Sequence, residues 1–143
     1  MDLGQIVTLW TARLSAVFYL VALVQILRHM GRSARILWTI GLIIYLIHVC
    51  CAFTYFYDWS HGLAYRETAR QTANLFGVNW GGGLYLNYLF TAVWSADCLW
   101  WWSNVSGYRS RSTWVALSIH AFLAFMVLNA TIVVWLLKWK ATW

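Results

Sequence analysis

Four apolar stretches divide the chain, roughly Leu3 to Arg28, Arg35 to Tyr57, Gly83 to Ser103 and Thr113 to Leu137, with basic and polar residues gathered at their ends. Each runs about 20 residues or more, the length at which an α-helix covers a hydrocarbon layer about 30 Å thick. The pattern predicts an all-α membrane protein, a single domain over residues 1–143 made of four transmembrane helices in a bundle.

The segment from about residue 58 to 82 is the one substantial piece outside the apolar runs. Asp58 or Ser60 is placed to cap a helix that continues through Ala64, Arg66, Glu67, Ala69, Arg70 and Ala73 and stops at Gly77. On it His61, Tyr65, Thr68 and Thr72 share one face and Arg66 and Arg70 another. This predicts a short amphipathic helix on the outer surface, between the second and third spans. Gly81, Gly82 and Gly83 follow, a joint or a place of close backbone approach.

Composition sharpens the class. The chain is 62% hydrophobic and 10% charged and has no proline, whereas a water-soluble domain carries about 25% charged residues. A net charge of +6 does not make nucleic acid a partner, because Arg and Lys sit singly or in small groups beside the ends of the apolar runs. Asp2 stands where a signal peptide would be basic and the first run is too long for its apolar core, so the first helix is expected to be retained. Cys50 and Cys51 are adjacent and Cys98 lies at another depth, so all three are expected to be small packing residues without a disulfide.

Orientation follows from the short loops. Arg28, Arg32 and Arg35 bracket the first connection and Arg109 and Arg111 lie in the third, which assigns that side to the cytoplasm. Arg66, Arg70, Lys138 and Lys140 lie opposite, so the bias rests on density near the first helix. The expected location is a bacterial cytoplasmic membrane, N-out and C-out. Trp10, Trp59, Trp80, Trp135, Trp139 and Trp143 would form an outer aromatic belt, and Trp38, Trp100, Trp101, Trp102 and Trp114 an inner one, with Trp94 alone inside.

Ionisable residues in a membrane helix are costly and so are candidates for function. Here they are Arg13, His48, Asp97 and His120. At about 1.5 Å per residue, Asp97 and His120 both lie roughly 10 Å from the cytoplasmic side and are expected to form an intramembrane polar pair. His48 lies roughly 20 Å in, with Arg13, Asn87 and Asn129 at similar or slightly greater depth. Arg13 is expected to snorkel outward past Trp10, and the two amides to serve as interhelical hydrogen bonds. His120 and Asn129 point to opposite sides of the fourth helix, as do Arg13 and the small face of Thr8, Thr11, Ser15 and Ala22 on the first. Two helices with opposed polar faces imply a second buried surface, made with another copy or a different membrane subunit.

On the second helix Gly41, Tyr45, His48, Ala52, Tyr55 and Trp59 form one stripe, and on the third Asn87, Thr91, Trp94 and Cys98 form another, both suited to a bundle interior. His48, flanked by Tyr45 and Tyr55, is the candidate ligand for a tetrapyrrole, haem or chlorophyll. Ligation by both His48 and His120 is disfavoured by their depth difference of about 9 Å. Asp58, His61 and Glu67 are read as a cap and a solvated face, so no metal site is expected. No nucleophile elbow, phosphate-cradling glycine loop or redox cysteine pair is present, and catalytic activity of its own is not expected. The expected function is that of a small integral subunit of a larger membrane complex, packing on partner subunits or its own copies and lining a cofactor or lipid site. The rivals are a tetrapyrrole-binding redox or pigment protein and an oligomeric proton or ion conduit using Arg13, His48, Asp97 and His120.

Overall fold

The computed structural model describes residues 2–29 and 31–141, with the backbone alone described beyond residue 132. Trp135, Trp139 and Trp143 of the outer belt, with Lys138 and Lys140, therefore lie outside the described side chains. Among the described residues every regular element is a helix: α1 (Leu3–Leu27), α2 (Gly31–Phe56), α3 (His61–Phe76), α4 (Gly83–Ser103), α5 (Val105–Arg109) and α6 (Thr113–Ala141). Helices are the economical answer for so apolar a chain, since each satisfies its own backbone N–H and C=O groups without water.

Three of these are long and apolar enough to cross a membrane: Leu3–Leu27, Gly31–Phe56 and the Thr113–Ile132 part of α6. With 21 residues, about 31 Å, α4 has the length. Its apolar character is diluted by Asn87, Asp97 and its Tyr and Trp residues. The second helix begins at Gly31, four residues before the apolar run does, because Arg32 and Arg35 are good helix formers whose charge does not interrupt the backbone. The short α5, with Gly107 and two serines around it, gives no apolar periodicity and was not expected from the sequence.

The chain divides into two compact units, Met1–Ser60 with Ser95–Val105, and His61–Trp94 with Ser106–Trp143. In the first, α1 and α2 form an antiparallel hairpin. Asp2 starts α1 by accepting from the Gln5 N–H at 2.7 Å. At the other end the chain reverses through His29 at φ 58, whose N–H bonds the Ile26 carbonyl. Small residues of either helix let the two approach, and one aromatic pair packs between them. Gly4 leaves room for the Tyr55 ring, Ser15 reaches the Gly41 carbonyl at 3.0 Å, and Tyr19 meets Trp38 at a centroid distance of 5.4 Å. This is small-residue membrane-helix packing, in which close backbones supply the dispersion contacts that water would otherwise drive.

The first unit's leading segment ends in a left-handed stop after α2, and α3 opens the second unit at His61. Asp58 and Trp59 both have positive φ, 45° and 54°, so Asp58 turns the chain instead of capping the helix, and Ser60 directly precedes His61. Gly77, φ 74, ends α3 with its N–H on the Ala73 carbonyl at 2.9 Å. The following loop folds back onto the helix at Gly81, where a Cβ would meet the Tyr65 carbonyl oxygen at 2.5 Å. Only glycine fits there.

Candidate functional site

His48 is held by an elementary constraint. Its Nδ1 lies 2.9 Å from the Thr8 carbonyl oxygen, which can only accept, so Nδ1 carries the hydrogen and donates. The same carbonyl accepts from the Thr11 hydroxyl at 3.0 Å. A neutral His48 then has its lone pair on Nε2. This is the arrangement in which a histidine ligand is oriented by its other nitrogen. Tyr45 stands beside it with ring centroids 6.2 Å apart. Tyr55 does not join them: it lies about two turns further along α2, over Gly4, with half of its surface exposed (51%).

The densest polar arrangement of the first unit joins α2 to the last turns of α4. Asp97, 2% exposed, accepts from the Trp38 indole N–H at 3.0 Å. Trp38 is itself fully buried, its ring against Tyr19. Next to Trp38 along α2, Thr39 is a relay: its hydroxyl donates to the Arg35 carbonyl at 2.8 Å and accepts from the Trp102 indole N–H at 2.8 Å. The Cys98 sulfur lies 3.3 Å from the same hydroxyl. Arg35 covers the Trp102 ring at 4.1 Å and donates to the Trp101 carbonyl at 3.4 Å, a cation–π contact combined with a long hydrogen bond.

This corrects the belt reading for two residues. Trp38 and Trp101 are 0% and 5% exposed, so they are interior residues of the protein and not rings anchored at the lipid interface. The Trp38 N–H is directed to a carboxylate where a belt tryptophan would meet water.

In the second unit the Arg111 guanidinium lies 3.8 Å from the Tyr108 ring centroid and its Nη2 is 3.2 Å from Nε2 of His120. A guanidinium only donates, so His120 Nε2 accepts and its ring hydrogen sits on Nδ1. Asp97 belongs to the first unit and His120 to the second, with Trp38 and Arg111 as their respective neighbours. Arg13 is exposed and its guanidinium lies 5.3 Å from the Trp10 ring centroid. Asn87 and Asn129 are exposed.

The second unit also contains an aromatic group. His61 Nδ1 is 3.0 Å from the Tyr88 hydroxyl, and Tyr85 packs against His61, Tyr65 and Tyr88 at centroid distances of 5.7, 6.2 and 6.3 Å. Beside Tyr65, an open groove is lined by Arg66, Ala69, Arg70, Ala73 and Asn79. Glu67 holds Arg70 in a bidentate pair, Oε2 to Nε at 3.0 Å and Oε1 to Nη2 at 2.8 Å. The hydrogen bonds from Arg70 hold the Glu67 carboxyl below its usual range, and the same bonds raise Arg70.

Sequence reasoning singled out His48, Asp97 and His120 as candidates but did not single out Trp38, Arg35, Thr39, Trp102 and Arg111, which take part in the arrangements described above. A signal was present for one of them: Trp38 and Asp97 have similar depths from the ends of their own helices. Comparison with known proteins gives no match, whether to a family model, a curated protein or a solved structure.

Proposed function

We propose that the chain is a small integral subunit of a larger membrane complex, a four-helix bundle in which α4 joins the three strongly apolar helices as a span and α3 lies along the outer surface. The observation that carries this reading is the pair of exposed amides, Asn87 in α4 and Asn129 in α6. Among the described residues neither side chain has a hydrogen-bond partner. An amide facing hydrocarbon alone is costly, and a neighbouring subunit or a second copy removes that cost. Large apolar side chains exposed on the same helices, among them Leu89, Phe125 and Leu128, are equally suited to lipid and to a partner, so the support for this reading comes from the amides.

The test is size and composition after gentle extraction. A tagged chain is expected to co-purify with a second subunit or with its own copies, and Asn129→Leu together with Asn87→Leu should weaken that association. A monodisperse single chain, unaffected by both substitutions, would remove the proposal. Orientation is tested separately: a label after Arg32 should react only from the cytoplasmic side in an N-out, C-out protein.

A second reading is favoured by the His48 geometry. With Nδ1 donating to the Thr8 carbonyl, Nε2 is the nitrogen that would ligate haem iron or chlorophyll magnesium. Native protein should then absorb in the visible, and His48→Leu should abolish that band while the protein remains in the membrane. A colourless preparation from its own membrane removes this reading and leaves the first intact.

A further inference from the structure

We infer that the groove between α3 and the loop after it is a binding site for the phosphate of an anionic lipid. The inference deepens the reading above and rests on α3 lying at the membrane surface, where lipid headgroups are the most concentrated phosphate groups.

Three features of the groove select an anion. Every charged side chain lining it is cationic, Arg66 and Arg70, one helical turn apart. Glu67 is not among the lining residues. It grips Arg70 by the Nε and Nη2 edge, which fixes the guanidinium plane and leaves the Nη1 N–H groups for another acceptor. Among the described residues, Arg66 has no side-chain partner and so has its whole donor fork to offer.

The floor and far wall suit a bulky headgroup. Ala69 keeps the helix surface low beside the two arginines, and Ala73 does so one turn beyond. Asn79 contributes an amide from the loop, whose position is set by the close approach of Gly81 to Tyr65. Two guanidinium groups and an amide donor around a shallow channel match the oxygens of a phosphate diester. The ring of Tyr65 adds an amphipathic edge of the type that sits at headgroup level.

Lipid retention by the purified full chain in detergent tests this, with phosphatidylglycerol, phosphatidylcholine and inorganic phosphate as probes in native mass spectrometry. Phosphatidylglycerol should be retained in preference to phosphatidylcholine. Arg66→Gln and Arg70→Gln should each weaken its retention about five-fold, as expected for one basic residue at a lipid surface, while Arg66→Lys keeps most of it and Arg32→Gln changes nothing. Arg66 is exposed, so its substitution should leave helix content unchanged by circular dichroism. Equal retention of both lipids, or retention insensitive to Arg66 and Arg70, overturns the inference. Displacement of the lipid by millimolar inorganic phosphate, with the same arginine dependence, would assign the groove to free phosphate and overturn the lipid source. Association with partner subunits is read independently through Asn87 and Asn129, so failure here leaves the subunit reading standing.

Discussion

At the scale of single residues, Asp97 shows how one buried group dictates the choice of its neighbour. A carboxylate at 2% exposure needs a donor, and Trp38 brings one on a ring that also fills the space against Tyr19. Trp38→Phe keeps most of the ring and removes the donor, so it should destabilise the protein by about 1–2 kcal/mol, toward the upper end for a membrane-helix hydrogen bond. Unfolding in mixed detergent measures this. Asp97→Leu added to Trp38→Phe should recover part of the loss, because the buried group that the indole N–H served is then gone as well. Strict additivity would count against the bond. Sequence exposed Asp97 at once, since a charge in an apolar run is conspicuous, but hid Trp38, because a tryptophan near a helix end has the belt as its ordinary explanation. His48 was legible as a polar group on a stripe; its tautomer was not, because that depends on which carbonyl of another helix comes opposite.

At the scale of elements, the helices were legible to within a few residues wherever apolar periodicity or a stop signal marked them. The Gly77 stop of α3 was foreseen and has the left-handed φ of 74° that glycine alone adopts without strain. Asp58 was misplaced as a cap because two successive left-handed residues, Asp58 and Trp59, cannot be read from polarity. The third element carries two testable features. Its Glu67–Arg70 bond lowers the carboxyl pKa, so the bond is at full strength above the ordinary carboxylate value near 4.3 and is lost as pH falls through the depressed one. Protection of the α3 amides, taken as exchange relative to the intrinsic rate at each pH, should therefore fall on acidification below the ordinary carboxylate range, and Glu67→Gln should abolish that dependence. Gly81→Ala should cost about 1–3 kcal/mol by overpacking, and more than Gly4→Ala. The obstacle at Gly81 includes a backbone carbonyl at 2.5 Å, whereas at Gly4 the two atoms at 2.7 Å belong to the Tyr55 ring, which can rotate, and only its Cβ at 3.0 Å is fixed to the helix.

At the scale of the whole molecule, three long apolar helices predict that the protein stays with membranes through carbonate and high salt and leaves only with detergent. Release by carbonate alone would refute it. The hairpin of α1 and α2 has a further consequence for how the chain enters the bilayer. Ser15 and His48 each place a donor on a carbonyl of the opposite helix, so the two helices carry fewer exposed polar groups into hydrocarbon together than they would apart. Insertion should then proceed in pairs: α1 gains by waiting at the insertion machinery until α2 has been made, and a chain cut after Tyr57 should persist in the membrane longer than one cut after Arg28.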